Sequence, residues 1–255
     1  MSTIYLTLLL SFVLGILPAI LWLWFWLRQD SENPEPISYI RKTFFYGGLI
    51  VVAAFIFQVV FNQLAGISGI EAISQLSFRD ALIIVFIWAF IEEVLKYIVA
   101  YNVALKKQVT DQAIDAPIYL ISAALGFAAV ENTLYLIEPI LNGDTLTTLA
   151  TAKIRFIGST LVHVASSGLL GMFIGYSLFF MKSVRKRYFL VGLFLATVLH
   201  ALFNLFIIKG SQNAFVGFLI IWLFIILLLV SFEHIKKIKI NKIENVRQKE
   251  KENTY

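Results

Sequence analysis

Seven runs of mostly apolar residues divide this chain, each close to the roughly 20 residues a helix needs to cross a bilayer core about 30 Å thick. Their limits are Ile4 to Leu27, Phe44 to Leu64, Ala81 to Val103, Pro117 to Ile137, Ile154 to Met181, Phe189 to Ile208 and Ala214 to Phe232. Of the 255 residues 59% are hydrophobic and only 15% charged, whereas a soluble domain carries about 25% charged residues. A soluble globule is excluded, and so is disorder, which needs low hydrophobicity and high net charge. The first run lacks a basic start and is longer than the apolar core of a signal peptide, about 7 to 15 residues. It is read as a span. The expected fold is an all-α, polytopic transmembrane helical bundle of about seven spans in the cell membrane.

Lys and Arg outside the runs set the expected orientation. Arg28, Arg41 and Lys42 follow the first run, Lys106 and Lys107 the third, and Lys182, Arg185, Lys186 and Arg187 the fifth. The tail adds Lys236, Lys237, Lys239, Lys242, Arg247, Lys249 and Lys251, while the opposite connections hold only Arg79, Lys153 and Lys209. This predicts an N-terminus outside and a C-terminus in the cytoplasm. Residues 1–232 then form one integral membrane domain, with a basic cytoplasmic tail over 233–255. The net charge of +5 suits an anionic inner leaflet, and no motif points to nucleic acid. Two stretches look peripheral: Ile67 to Phe78 along the outer interface, and Asn142 to Lys153 as a short cap. Only Pro18 lies well inside a run, so the spans are expected to be mostly unbroken.

Ionisable groups at the centre of a membrane helix cost about 2.5 to 3.5 kcal/mol each. Glu92, Glu93, Lys96 and Glu131 lie well inside runs, with Arg155 at an edge. Unpaired, those four would cost roughly 10 to 14 kcal/mol, comparable to the stability of a whole domain. They must face one another or water. Glu92 and Lys96 are four apart and share a helix face, the spacing of a simple salt bridge. Glu93 points about 100° away and needs another partner. Two adjacent carboxylates repel when both are ionised, which favours general acid or base duty for one of them.

Glu131 and Asn132 put a carboxylate beside an amide in the fourth run. The fifth run carries Arg155, Ser159, His163, Ser167, Gly171 and Gly175 at steps of four, a small and polar stripe that lets helices approach closely. Ser166 and Ser167 are expected to bond carbonyls one turn back. In the sixth run, His200 and Asn204 lie one turn apart on one face. His234, among tail lysines, carries no expected role. Glu131, His163 and His200 fall roughly 9 to 14 Å below the outer surface at 1.5 Å per residue, and the Glu pair only slightly deeper. Four helices thus bring carboxylates and imidazoles to one layer.

In this order, E-E-x-x-K (Glu92, Glu93, Lys96), F-x-x-x-E-N (Phe127, Glu131, Asn132), His163 with Gly171 downstream, and H-x-x-x-N (His200, Asn204) resemble the PrsW intramembrane proteases. That family is distantly similar to the CAAX prenyl proteases and bacteriocin-processing proteins, whose Glu pair is followed by Arg and which carry His where Glu131 stands here. The resemblance covers residues 81–208 and implies a multi-pass membrane peptidase. The best-known members cut membrane-anchored anti-sigma factors, so a membrane-anchored protein or peptide is the expected partner. The oligomeric state stays open.

Peptide hydrolysis needs an activated water, a proton donor for the leaving amine and an oxyanion stabiliser. Glu92 or Glu93 is the expected general base, with Lys96 fixing its neighbour's charge. His163 and His200 hold the water or donate protons. Asn204 supplies an N–H to the oxyanion or orients His200, while Glu131 completes the catalytic set and Asn132 and Arg155 support it. A zinc variant would use His163, His200 and Glu131 as ligands and a Glu of the pair as base. The absence of H-E-x-x-H favours the metal-free route.

With no cysteine in the chain, thiolate chemistry is excluded. The aspartates Asp30, Asp80, Asp111, Asp115 and Asp144 all fall in loops or at span edges, which argues against an aspartyl mechanism, and Ala165-Ser-Ser-Gly168 does not supply a G-x-S-G loop. The competing class is a proton- or ion-coupled transporter, which predicts inverted repeats and broken helices. Neither is visible in the sequence. A weaker alternative is a sensor or immunity protein that binds a membrane peptide uncut.

Overall fold

The computed structural model describes residues 2–30, 34–107 and 109–252, with side chains described for 4–29, 34–107, 109–210 and 214–236. Ten α-helices follow one another, with no strand among the described residues: α1 (Ser2–Leu27), α2 (Ile37–Leu49), α3 (Val51–Leu64), α4 (Ile70–Gln75), α5 (Phe78–Ala100), α6 (Asp115–Leu141), α7 (Thr145–Ile154), α8 (Thr160–Ser177), α9 (Lys182–Ile208) and α10 (Ser211–Glu252). Six stretches are long and apolar enough to cross a membrane: Ile4–Leu27, Ile37–Leu64, Asp115–Leu141, Thr145–Ser177, Lys182–Ile208 and Ala214–Lys236. The chain is an all-α, multi-pass integral membrane protein. At 23 residues α5 has the length of a span, but Glu92, Glu93 and Lys96 interrupt its apolar stretch.

α6 is the post around which the bundle is built. From Asp115 to Ala129 every residue on it is buried, and α1, α2 and α8 pack against it while α9 packs on α8 and α5. Small side chains permit this. A Cβ on Gly126 would overlap the Phe44 carbonyl of α2, and one on Gly171 of α8 would overlap Pro117 of α6. The helices therefore meet backbone to backbone, as small residues allow in a bilayer. Gly126→Val is expected to destabilise the fold by at least about 1–3 kcal/mol through overpacking. A lowered unfolding temperature in detergent would show it, and an unchanged one would contradict this packing.

Three local features differ from the sequence expectation. The second span is divided at Ile50, two residues after the Gly47-Gly48 pair, a pair of weak helix formers. The cap over 142–153 is a ten-residue helix, α7, begun by Asp144, whose side chain accepts from the Thr147 amide at 2.9 Å. A π-turn at Arg155–Ser159 joins it to α8, so the fifth span starts earlier than its apolar run. A second π-turn, Tyr101–Leu105, ends α5. The peripheral stretch after Leu64 does form a short helix, α4. In the tail, the α10 backbone continues to Glu252, and the basic side chains beyond Lys236 lie outside the described residues.

Candidate active site

α5, α6, α8 and α9 bring the expected polar residues into one buried cluster. Successive residues on α5 point about 100° apart, so Glu92 and Glu93 have different surroundings. Glu93 is fully buried and saturated with partners. Its Oε1 accepts from Lys96 Nζ at 2.7 Å and Ser166 Oγ at 2.9 Å, and lies 2.8 Å from His200 Nδ1. Its Oε2 accepts from Ser167 Oγ at 2.7 Å. Ser166 also donates back to Val162 O at 2.8 Å, as expected. Ser167 donates to Glu93 instead. Both serines thus clamp the carboxylate, and neither hydroxyl is free for nucleophilic work.

Glu92 is held differently. Its Oε1 accepts from Gln58 Nε2 at 3.0 Å, while its buried Oε2 has no hydrogen-bond partner. Around that oxygen stand Lys96 Nζ at 3.7 Å, His200 Nε2 at 3.7 Å and His163 Nδ1 at 3.9 Å. The two imidazoles meet edge to face with centroids 4.9 Å apart.

Each imidazole is tied to a carboxylate by the nitrogen that points away from Glu92. His200 uses Nδ1 on Glu93, and His163 uses Nε2 on Glu131 Oε2 at 3.0 Å. Assigned from these contacts, the protons sit on those nitrogens. The lone pairs of His200 Nε2 and His163 Nδ1 are then left on the Glu92 side. Lys96 Nζ, 2.8 Å away, donates to His163 Nδ1 and also lies 4.7 Å from the Phe127 ring.

Glu131 is occupied from outside the cluster. Arg155 Nη1 donates to its Oε2 at 3.1 Å, Ser159 Oγ is 3.4 Å away, and the Arg155 guanidinium lies 3.6 Å from the centre of the Tyr135 ring. Asn132 joins α6 to the start of α8 by donating to Thr160 Oγ1 at 3.0 Å. Asn204 is half-buried and makes no hydrogen bond to His200 or the carboxylates.

Among the described residues, the group whose potential ligand atoms all lie within 4.8 Å of one another is Glu92, His163 and His200. The expected ligand set of His163, His200 and Glu131 differs by one member. Arg155 and the far nitrogen of His163 hold Glu131 on the outer side, and Glu92 takes the inner place. Sequence reasoning missed Gln58. Its signal was a lone amide in the apolar run from Val51 to Phe61, the same kind of anomaly that singled out the carboxylates.

Comparison with known proteins identifies the family. Residues 35–230 match the PrsW family of intramembrane metalloproteases. Protease PrsW of Halalkalibacterium halodurans is 28% identical over 203 residues, covering 78% of this chain and 84% of the relative. The Oceanobacillus iheyensis protein of that name is 30% identical over 204 residues, 78% and 83% of the two chains. Its Clostridioides difficile counterpart is 25% identical over 235 residues, 91% and 90%. No solved structure matches. The family match runs through every helix that contributes to the cluster, from α2 into α10, and the chain belongs to the PrsW family of intramembrane metalloproteases.

Proposed function

We propose that this protein hydrolyses peptide bonds of membrane-anchored proteins, with Glu92, His163 and His200 as the reacting centre. The observation that carries the reading is the buried, unpartnered Glu92 Oε2 facing two imidazole nitrogens. Two imidazoles and one carboxylate are a usual donor set for catalytic zinc, and carboxylates on the far nitrogens are the usual support for such ligands. These residues fit a divalent metal, and Glu92, His163 and His200 would hold it. Such an ion would supply a Lewis acid and lower the pKa of a bound water toward neutrality.

The chain's own groups have separable duties. Glu93 fixes the tautomer and direction of His200, and Glu131, itself held by Arg155, does the same for His163. Lys96, 3.7 Å from Glu92 Oε2, offsets negative charge gathering at the centre. The half-buried Asn204 amide, one turn from His200, is the side-chain donor we assign to the oxyanion. Placing the basic connections in the cytoplasm puts the centre in the outer half of the bilayer, where a substrate's membrane segment meets water.

One observation favours a metal-free reading. Lys96 bonds Nδ1 of His163 at 2.8 Å, so its ammonium already uses one of the proposed ligand lone pairs. In that reading Lys96 is the only cation of the centre and Glu92 Oε2 takes the proton from water.

Co-expression with a panel of tagged single-pass membrane proteins tests the function. Wild type is expected to shorten at least one of them and His200→Ala none. No shortened product, together with a proton-driven flux that His200→Ala abolishes, would establish the transporter class instead.

A further inference from the structure

Gln58 reaches Glu92 from α3, the most loosely held wall of the site. Of the fourteen residues of α3 only Val51 and Ala54, both in its first turn, are buried. Beyond them Phe55, Ile56, Phe57, Val60 and Leu64 are exposed to the surroundings. Two side-chain hydrogen bonds tie this outer part to α5: Gln58 to Glu92, and Trp88 Nε1 to Asn62 Oδ1 at 2.9 Å. Four residues back on one helix match four forward on the other. α3 and α5 therefore run antiparallel in a fixed register. Ile50, where α2 ends and α3 begins, keeps helical backbone angles, and α2 on its other side is locked to α6 at Gly126 and Gly47.

The same seam continues past Ile50 into an open groove of about 400 Å³. Tyr46, Leu49 and Ile50 line one wall, and Ile98, Asn102 and Val103 the other. Its volume is that of a ligand pocket, roughly 300–1,000 Å³, and Asn102 is its one amide. Counting residues from Glu92 to Ile98 and Val103, the groove begins about 9 Å and ends about 16 Å along α5 at 1.5 Å per residue. Glu92 thus lies on one continuous line with an amide at one point and an apolar slot further along.

We propose that the α3–α5 seam is where the substrate's membrane segment docks. The Gln58 carboxamide holds the place of a peptide amide at Glu92, and the slot takes an apolar side chain beyond the scissile bond. A peptide group is chemically the same as the group it displaces, so substrate binding replaces the Gln58 bond with an equivalent one. An extended chain rises about 3.3 Å per residue, which places the slot's occupant about three to five residues beyond the cleaved bond. The occupant is a protein segment and not an acyl chain because the slot shares its line with Glu92. This inference rests on the protease reading.

Two experiments test it, using a cleaved single-pass protein from the co-expression panel with its cut site mapped by mass spectrometry. In the first, each of the six positions after the cut is changed singly to Ala or Trp, and cleavage is compared in wild type, Leu49→Ala and Leu49→Trp. Trp at one position in the three-to-five window is expected to lower kcat/KM about tenfold in wild type. Leu49→Ala should relieve that loss, and Leu49→Trp should shift the preference at that position to Ala. Such a reciprocal change cannot come from misfolding. Preferences that are the same in all three proteins would overturn the slot and leave it a lipid-facing gap.

The second experiment uses the absence of cysteines. Asn62→Cys/Trp88→Cys is joined by a short reducible thiol cross-linker. The tethered protein is expected to lose co-purification and cleavage of the test protein at least tenfold, and to regain both on reduction. Equal binding and cleavage when tethered would overturn the seam as the way in. If wild type cleaves nothing in the panel, the protease reading itself fails, a result distinct from either of these.

Discussion

Glu92→Gln is expected to remove cleavage by about 10²–10⁴-fold while the amount of folded protein stays near wild type. Gln keeps an oxygen to accept the Gln58 hydrogen bond, so the α3–α5 contact survives. It loses the charge on the Glu92 oxygen that is buried without a hydrogen-bond partner. Whether that oxygen holds a metal or takes a proton from water, an amide does neither well. Matched expression and thermal stability, with the shortened product missing, is the expected outcome. Full activity in Glu92→Gln would remove Glu92 from the reacting centre.

Glu93→Gln, one residue away, is expected to fail for a different reason. Glu93 and Lys96 are both fully buried, and the ammonium lies 2.7 Å from the carboxylate. Removing the Glu93 charge breaks the closer of Lys96's two ion pairs and leaves the ammonium with only the Glu92 carboxylate 3.7 Å away; breaking a buried pair this way costs about 3–5 kcal/mol. The imidazole of His200 and the hydroxyls of Ser166 and Ser167 lose their common acceptor as well. Much less folded protein should be recovered from membranes, with a lowered unfolding temperature. Adding Lys96→Met should recover part of the stability, since losing both partners of a buried pair costs less than losing one, although Glu92 also loses its nearby cation. The double variant should stay inactive because His200 has lost its orienting carboxylate. Wild-type stability in Glu93→Gln alone would contradict the pairing.

The contrast between these two neighbours marks the limit of what could be read from the sequence. The spans were legible because bilayer thickness imposes a length. The anomalous residues were legible because charge in hydrocarbon is costly. The layer they share followed from counting residues along helices of known rise. Which member of the Glu pair is saturated and which has an open oxygen depends on Ser166, Ser167, His200 and Gln58, and these lie 34 to 107 residues away along the chain. No local pattern encodes such partners. The same holds for Glu131, whose role turns on Arg155 reaching it across a π-turn that hydropathy does not reveal. Ile50 was missed because Gly47 and Gly48 are apolar as well as weak helix formers, so they do not interrupt an apolar run.

Metal analysis of purified protein tests the proposed centre most directly. Wild type, Asn204→Ala, Glu92→Gln and His163→Ala would be purified in mild detergent and their bound divalent metal measured per chain by mass spectrometry. About one ion per chain is predicted for wild type and Asn204→Ala, as for a catalytic site with three protein ligands. Loss of that ion is predicted for Glu92→Gln and His163→Ala. Wild-type protein that cleaves its substrate at full rate with no bound divalent metal, and is indifferent to chelators, would contradict a metal at this centre and leave Lys96 as its cation.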